Sequence, residues 1–439
     1  MENTTSKKKK EHPITSITVK GFKSIRDETE IELKPLTILA GANSSGKSSV
    51  IQPLLLLKQT LECPYDPGPL YLEKENVRFT SANQVLWRGK STKSINSFSI
   101  GLKSEFIQLE QSFLRSGLKS DDFSINSIKF KLTNEGRIYE WKPNMRTEEL
   151  IDNIPHFILR SFNKDIIKDL QWNFERIKYI LLLDIRHNEF RIPLLGAFQS
   201  PLEEFNPYIS QLIHLPGLRG IPERKYPKTA IGKNFPGLFY NYAPSILVKW
   251  KQSNDDRLNQ LCNWLFKLGL TWKIIPYSRD ATFIELLVGR LHTSAKAGAH
   301  DLVSIADVGF GVSQVMPVLI AMLVAEPGQL VFIEQPELHL HPNAQVKLAE
   351  LIAETAKRKV ILIIETHSSL LLKTIQALIA EKKLPKDLVK LHWFTRQEDG
   401  SSKVYSGNLD KKGAYGDWPE DFSIVDLEAE GRYLDAATG

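Results

Sequence analysis

Apolar residues are distributed in three different ways along the first third of the chain. The runs SITVKGFKSI and PLTILAG predict two strands, and the second strand ends abruptly at Gly41. A leucine-rich segment from about Ser48 to Thr60 predicts a helix. From Ser91 to Trp141 apolar and polar residues alternate, as in SFSIGL and SIKFKL, which is typical of short antiparallel strands.

The middle of the chain places apolar residues at helical spacing. They begin at Leu150 and continue through Ile154, Ile158, Phe162, Ile166, Leu170, Phe174 and Ile177. This spacing predicts a long amphipathic helix after a break at Pro155. A second helix is predicted in RLNQLCNWLFKLG, and strands are predicted in TWKIIPY and TFIELLVG.

Helical and strand patterns alternate in the C-terminal part, in VSQVMPVLIAMLVA, QLVFIE, NAQVKLAELIAETA and KVILIIETH. This alternation predicts an α/β layer with a parallel sheet that an insertion interrupts. The predicted organisation is a disordered basic tail (residues 1–13), an N-terminal lobe (14–110), a mainly helical insertion that also contains strands (111–279), a C-terminal lobe (280–375) and an extension (376–439).

Composition narrows the class of protein only a little. The 439 residues are 42% hydrophobic and 25% charged, which predicts a sizeable core. The net charge of +6 is compatible with a nucleic-acid partner, although a mildly basic surface is more often only solvated. Cys63 and Cys262 lack metal-ligand spacing, and the longest apolar run, from Val315 to Ala325, is too short to span a membrane. These features predict a cytoplasmic protein.

The segment GANSSGKSS, from Gly41 to Ser49, fits the phosphate-binding pattern G-x-x-x-x-G-K-[ST]. It follows a predicted strand and opens a predicted helix, as that pattern requires. Lys47 is expected to reach the β- and γ-phosphates of ATP, and the Ser48 hydroxyl is expected to coordinate Mg²⁺. The residues expected to line the phosphates are Gly41, Asn43, Ser44, Ser45, Gly46, Lys47, Ser48 and Ser49.

Three later segments carry residues suited to complete such a site. VFIE is a buried strand that would deliver Glu334 to the metal. The strand KVILIIETHSS ends near His367, which could contact a γ-phosphate. In ADVGFGVSQVMP, two glycines and Ser313 could offer hydrogen-bond donors to an anion, although tight packing explains a G-x-G pattern about as often.

The order of these motifs resembles that of the ABC-type ATPases, and more narrowly their overcoming-lysogenization-defect (OLD) and SMC-like branch. GFKSI followed by LTILAGANSSGKSS resembles the opening of that group, and DVGFGVSQVMP resembles its signature motif. HLPGLRGIPERKYP and GDWPEDF resemble a bacterial subgroup that includes ATPase subunits of anti-phage systems such as Septu and PARIS. The implied fold is an ABC-type ATPase head with a mixed or parallel sheet, an antiparallel β subdomain and a mainly helical insertion.

In this family two heads enclose two nucleotides, so that the signature of one head completes the site of the other. The resemblance therefore implies that Gly309, Gly311, Ser313 and Gln314 contact the partner's nucleotide in a dimer or larger oligomer. Family members also use a lid-loop glutamine near the metal, and Gln84 is the candidate for that role.

The segment EQPE leaves open whether the nucleotide is hydrolysed. By the resemblance, Gln335 occupies the family's catalytic glutamate position, which would suit a protein that signals by occupancy alone. Alternatively, Gln335 orients water, or Glu337 acts as the base. We favour slow hydrolysis with Gln335 positioning water and Glu337 assisting, because phosphoryl transfer depends mainly on positioning and electrostatics.

Two further patterns have less specific readings. Glu337, His339 and His341 could form a metal site, but a third ligand at matching spacing is not evident. The basic segment 219–233 could contact nucleic acid or an acidic partner surface, could direct Arg219 and Arg224 toward the nucleotide, or could be a solvated loop.

The sequence as a whole predicts a slow Mg²⁺-dependent ATPase that acts as sensor and scaffold of a bacterial antiviral complex. Only about 70 residues follow His367, and they carry no D-x-D pair, so we expect a separately encoded effector, either a nuclease or a toxin. DNA and a phage protein are further candidate partners, and a membrane is not. The alternative is an SMC-like DNA-binding ATPase of DNA repair or chromosome maintenance.

Overall fold

The computed structural model describes residues 14–89, 95–117, 121–160, 170–187, 200–278, 280–290 and 301–415. Its strands are β1 (Ser16–Lys20), β2 (Thr29–Glu32), β3 (Leu36–Gly41), β4 (Ser97–Lys103), β5 (Ile107–Arg115), β6 (Phe123–Leu132), β7 (Ile138–Trp141), β8 (Leu170–Ile177), β9 (Ile180–His187), β10 (Ile213–Leu215), β11 (Tyr226–Pro227), β12 (Ile274–Ser278), β13 (Phe283–Gly289), β14 (Leu302–Ser304), β15 (Leu330–Glu334), β16 (Ile361–Thr366), β17 (Val389–Arg396) and β18 (Ser402–Gly407).

The helices of the described residues are α1 (Gln52–Leu61), α2 (Ala82–Val85), α3 (Thr147–Asp152), α4 (His156–Leu159), α5 (Asn206–Gln211), α6 (Ala243–Gln252), α7 (Arg257–Lys267), α8 (Phe310–Val324), α9 (Pro342–Lys357) and α10 (Ser369–Ala380). A 3₁₀ turn, Ser48–Val50, precedes α1. Within these described parts of the chain, no helix is both long and apolar enough to cross a membrane.

The central sheet has the strand order β10-β15-β16-β3-β17-β18, and all neighbouring pairs except β17 and β18 are parallel. Its strands β3, β15 and β16 are buried on both faces, as their continuous apolar runs predict. Because the strands are parallel, β3, β15 and β16 end at one edge of the sheet. That edge carries Gly41, Glu334 and Thr366.

Alternate residues of the central sheet belong to two different cores. Ile38, Ile333 and Ile364 pack into a core with α8 and α9, whereas Phe332 and Ile363 face α1 and a second, antiparallel sheet. That sheet has the order β2-β1-β4-β5-β6-β7, and its strands β4 to β7 lie where the alternating pattern predicted antiparallel strands. Since side chains alternate in direction along a strand, Glu334 and Glu365, two positions after Phe332 and Ile363, point toward α1.

The fold class is confirmed, but the long helix predicted from the apolar spacing is wrong. Residues 170–187 form an antiparallel hairpin of β8 and β9 instead, and residues 161–169 lie outside the described part. A spacing of four residues is compatible with a helix, but it is also an even number and therefore fits the two-residue period of a strand. Leu170 and Trp172 are buried while Gln171 and Asn173 are exposed, which is the strand pattern.

The predicted extension after residue 375 also differs from expectation. β17 lies directly beside β3 in parallel register, and β18 closes the sheet on that side. The boundary proposed at residue 375 therefore cuts through the central sheet. The acidic residues Asp417, Asp421 and Asp426 lie outside the described residues.

His392 of β17 gives the central sheet a specific acid sensitivity. Its buried ring bonds the Ser406 hydroxyl at 2.8 Å through Nδ1 and the Glu32 carbonyl at 2.9 Å through Nε2. Burial lowers the pKa of His392 from 6.5 to about 4. Because the unfolded chain takes up a proton here near pH 6.5 and the folded state only near pH 4, the contribution of this residue to stability is complete above pH 6.5 and is lost as the pH falls toward 4.

We expect His392→Gln to remove this dependence. The stability difference between wild type and variant should shrink by up to about 3 kcal/mol between pH 7 and pH 4, at about 1.4 kcal/mol for each tenfold change in proton affinity. Urea unfolding of both proteins across this range measures the difference. A difference that stays constant with pH would contradict the assignment.

Candidate functional site

The phosphate loop, residues 41–49, has a backbone that only glycine allows at two positions. Gly41 has φ +145° and Gly46 has φ +96°. A Cβ atom at Gly46 would lie 2.2 Å from Ser402 Oγ and 2.3 Å from Ser24 Oγ. The loop is thus held closely against β18, and its two glycines are structural requirements.

Hydrogen bonds from outside the loop hold its shape. The Ser402 hydroxyl donates to the Ser45 carbonyl at 2.6 Å, and its oxygen lies 2.8 Å from the Ser24 hydroxyl, from which it can accept. The Lys47 side chain is buried, and its ammonium donates to the carbonyls of Gly41 and Ala42 at 3.2 and 2.9 Å. Burial lowers the pKa of Lys47, and this effect is partly offset by nearby carboxylates.

Glu365, near the end of β16, lies against the phosphate loop and was missed in the sequence analysis. Its Oε2 accepts a 2.7 Å hydrogen bond from Ser48 Oγ, and its Oε1 is 3.9 Å from Lys47 Nζ. Burial raises the pKa of Glu365 to about 7; the charge of Glu334 also raises it, while Ser48 and Lys47 lower it. The only signal in the sequence is the pattern E-T-H-S, in which this acid stands two residues before His367.

Glu334, at the end of β15, is held on its other side. Its carboxylate bonds His214 Nε2 and the Gly217 amide, both at 3.2 Å. His214 belongs to β10 and stacks on Phe332. Glu334 and Glu365 are register partners across β15 and β16, so they point to the same face of the sheet.

The EQPE segment is a turn that follows the acidic strand, and hydrogen bonds join it to the end of the neighbouring strand β16. Gln335 has φ +45°, and its backbone N–H donates to the backbone carbonyl of Glu365 at 2.7 Å. Glu337 Oε1 accepts from Thr366 Oγ1 at 2.8 Å and from the His367 amide at 3.0 Å. Glu337 Oε2 is buried without a hydrogen-bond partner among the described residues.

His367 lies beside the phosphate loop. Burial lowers the pKa of this histidine, and the charge of Lys47 lowers it further, whereas a hydrogen bond to the Gly41 backbone raises it. A neutral ring near Lys47 could donate a hydrogen bond to a phosphate oxygen.

The residues present fit Mg²⁺ and a nucleotide phosphate. A hydroxyl at Ser48 and carboxylates at Glu334 and Glu365 are hard oxygen ligands, which Mg²⁺ prefers. The buried hydroxyl of Ser45 also has no hydrogen-bond partner among the described residues, so this polar atom can serve a ligand in the loop.

Two family models of ATPase domains match parts of the chain. A family model described as an AAA ATPase domain matches residues 13–211. A second model, described as an AAA domain, putative AbiEii toxin, Type IV TA system, matches residues 253–373. Among curated protein sequences, none matches the chain.

Solved SMC head domains are similar to the chain in structure. The SmcHead bound to the C-winged helix domain of ScpA shares 14% identity, has a TM-score of 0.50, and covers 91% of this chain and 99% of its own. The fold is that of an SMC head. Two further solved structures have lower TM-scores. An SMC head domain from Thermotoga maritima shares 11% identity, has a TM-score of 0.39, and covers 90% of this chain and 98% of its own. An Smc head domain with an extended coiled coil, bound to the C-terminal domain of ScpA derived from Pyrococcus furiosus, shares 11% identity, has a TM-score of 0.42, and covers 97% of this chain and 100% of its own. The AAA matches support a P-loop ATPase.

In this SMC-head fold the signature residues open α8. The helix begins after Gly309, which has no side-chain cap, and both Gly309 and Phe310 are exposed. The amide groups of the first turn are therefore accessible to an anion. Ser313 is buried, and its hydroxyl donates to the Phe310 carbonyl at 2.9 Å. Gly311 lies close to the carbonyl of His339, so the signature packs against the turn that follows the acidic strand.

Gln314, by contrast, is used within its own head. Its Oε1 accepts from the Arg219 amide at 3.0 Å, and its Nε2 donates to the Gly220 carbonyl at 2.7 Å. The buried guanidinium of Arg219 donates to the carbonyls of Gln314, Glu334 and Gln335. Burial lowers the pKa of Arg219 to about 10, which still leaves it charged.

This placement changes the interpretation of the basic segment 219–233. Arg219 faces the interior, and the exposed Arg224 pairs with Asp307. Two of its five basic residues are thus already engaged within the chain, and neither of the two bonds a residue of the phosphate loop in the described parts.

Two other predicted sites are not assembled. The Gln84 amide bonds only Thr80 among the described residues, at 2.9 and 3.0 Å, and makes no hydrogen bond there with Ser48 or Glu334. His339 is exposed, and His341 caps α9 by accepting from the Asn343 amide at 3.3 Å. Within the described ranges, no group of three or more His, Cys, Asp or Glu residues is arranged to hold a metal ion.

Proposed function

We propose that the chain binds ATP with Mg²⁺ at the phosphate loop and hydrolyses it slowly. The observation that carries this proposal is the convergence of Lys47, Ser48, Glu365 and Glu334 at one edge of the parallel sheet. The positive φ angles of Gly41 and Gly46 support phosphate binding through backbone amide groups of the loop. Asn43, Ser44 and Ser49 complete the set of residues assigned to the phosphates.

Each proposed role follows from the chemistry of the side chain. Lys47 would exchange its two backbone carbonyls for the β- and γ-phosphates, and His367 would donate to the γ-phosphate. Mg²⁺, when bound, would neutralise charge on the phosphates. Gln335 would orient the attacking water, and the amide lacks the charge that a proton acceptor needs, so we expect slow turnover.

The bonds of Glu337 favour positioning over direct proton abstraction. One of its oxygens already holds Thr366 and the His367 amide. This carboxylate would therefore assist by fixing the position of His367, and its second oxygen is buried without a hydrogen-bond partner among the described residues.

Turnover by the wild type should be slow but clearly above that of Lys47→Ala, which removes the phosphate-binding ammonium. Gln335→Glu should raise turnover by roughly tenfold or more, because a positioned base contributes about 10²–10⁴-fold, and Gln335→Ala should lower it. Steady-state phosphate release with Mg²⁺ measures all four proteins. Tight ATP binding with turnover no higher than that of Lys47→Ala would leave a nucleotide-gated clamp and contradict hydrolysis.

We further propose that ATP joins two copies of the chain through the exposed signature. Leu218 and Ile221, which are 74% and 75% exposed, flank the backbone that bonds Gln314 of α8. Phe310, at 50% exposure, opens the same helix. Apolar side chains beside accessible helix amides suit a surface that a second nucleotide-loaded head would cover.

Ile221→Asp should weaken ATP-dependent dimerisation at least about tenfold, because a fully buried isoleucine contributes about 1.5–3 kcal/mol. Its effect on ATP affinity at low protein concentration should be small. Sedimentation velocity with and without ATP measures the dimer. Ile138→Asp is the matched control, because Ile138 is 63% exposed but belongs to β7, at the edge of the other sheet. Equal effects of the two variants would contradict this surface.

For the biological role, we propose a sensor and scaffold subunit of a bacterial antiviral complex that controls a separate nuclease or toxin. The resemblance to anti-phage ATPases supports this role, and so does the match to a family described by a putative toxin of a toxin–antitoxin system. The alternative is an SMC-like DNA-binding ATPase, which the SMC-head fold supports equally. The ScpA bound to the similar SmcHead is consistent with a protein partner for either role.

DNA dependence of turnover distinguishes the two roles. A defence subunit should hydrolyse ATP at the same rate with and without duplex DNA, and the gene with its neighbours should reduce phage plating in a Lys47-dependent way. Turnover that DNA stimulates several-fold, without protection against phage, would favour the SMC-like alternative.

A further inference from the structure

We propose that Glu365, rather than Glu334 alone, supplies the carboxylate that binds Mg²⁺ beside Ser48. This inference rests on the proposed ATP-binding function and assigns the metal site within it. The sequence motif assigns Mg²⁺ to Glu334 at the end of β15, whereas the side-chain contacts favour Glu365 near the end of β16.

The order of strands gives the first reason. β16 lies directly between β3, which leads into the phosphate loop, and β15. Neighbouring strands are about 4.8 Å apart, so β15 is roughly 10 Å from β3. A carboxylate on β16 therefore starts one strand closer to Ser48 than a carboxylate on β15.

The direction of each carboxylate gives the second reason. Glu365 Oε2 is 2.7 Å from Ser48 Oγ, which is the hydroxyl assigned to the metal. The two oxygens of Glu334 instead bond His214 and the Gly217 amide. These partners lie on the β10 side of β15, which is the side away from β3. In this arrangement Glu334 braces the strand ends, and its charge still acts on the site.

The surroundings of Glu365 give the third reason. The residue is 7% exposed, and the charged groups that interact with it are Lys47, Glu334, Glu337 and the partly buried Lys23. Burying a carboxylate costs free energy unless its partners compensate, and here a lysine 3.9 Å away and one hydroxyl do so. Once Lys47 turns to phosphate, Mg²⁺ would be the cation that compensates this charge. Mg²⁺ typically takes one or two protein carboxylates in addition to phosphate oxygens.

The test compares ATP affinity in Mg²⁺ with ATP affinity in EDTA. Calorimetry or a fluorescent ATP analogue gives the ratio of the two dissociation constants for wild type, Glu365→Gln and Glu334→Gln. We expect Glu365→Gln to lose roughly tenfold or more of the Mg²⁺-dependent gain, a typical effect of perturbing a metal site, while its affinity in EDTA changes little. Glu334→Gln should lose less.

Direct binding of Mn²⁺ in the presence of ATP provides a second readout. The bound Mn²⁺ signal in electron paramagnetic resonance should weaken in Glu365→Gln and persist in Glu334→Gln. Glu365→Asp keeps the charge on a shorter side chain and should retain part of the Mg²⁺-dependent gain. Thermal unfolding shows whether Glu365→Gln is folded. If it is not, Glu365→Asp replaces it in the comparison.

The possible failures are distinguishable. A wild-type protein that does not bind ATP would overturn the proposed function itself. If the wild type shows a Mg²⁺-dependent gain that Glu365→Gln and Glu365→Asp retain and Glu334→Gln loses, the metal assignment is wrong. Glu365 would then serve only to hold Ser48 in the phosphate loop.

Discussion

The parallel register of β15, β16 and β3 is the constraint on which the candidate site depends. It pairs Glu334 with Glu365 and Glu365 with Leu39, so that the ends of the strands are level beside the phosphate loop. The two cores fix this register, because the alternate residues of each strand fill different cores. A slip of one residue would move apolar side chains to the wrong core and turn both carboxylates away from α1. The burial energy of the sheet therefore also determines the geometry of the charges.

A second linkage connects the signature helix to the acidic strand within one head. Arg219 bonds carbonyls on α8 and on both residues at the end of β15, while Gln314 bonds the backbone around Arg219. A buried guanidinium costs free energy unless its donors are satisfied, so these bonds are maintained together. In the proposed dimer, contact at the signature of one head would thus act on Gln335 of the same head through a short chain of hydrogen bonds.

Local motifs made part of this site predictable, and non-local pairing hid the rest. The phosphate loop and VFIE could be recognised because their residues are consecutive and their chemistry is specific. The importance of Glu365 arises only when β16 inserts between β15 and β3, which the spacing of residues along the chain does not specify. Arg219 was counted with a basic surface segment, because nothing near it in sequence indicates a buried charge. The hairpin of β8 and β9 was missed because apolar residues four positions apart satisfy both helical and strand periods.

Whether a nucleotide is hydrolysed or only bound depends on how Gln335 is positioned. Its backbone has a left-handed conformation, its amide bonds the Glu365 carbonyl, and its own carbonyl accepts from Arg219. The backbone is thus fixed on both sides, which limits where the side chain can reach, and a side-chain amide can orient water even though it cannot take its proton. In the proposed reaction, the carboxylates of Glu365 and Glu337 would compensate for the missing catalytic carboxylate only in part, because one bonds the Ser48 hydroxyl and the other holds Thr366. Strong phosphate binding combined with a weak base would give a long-lived ATP state, which suits a protein that reports a signal better than one that turns over substrate rapidly.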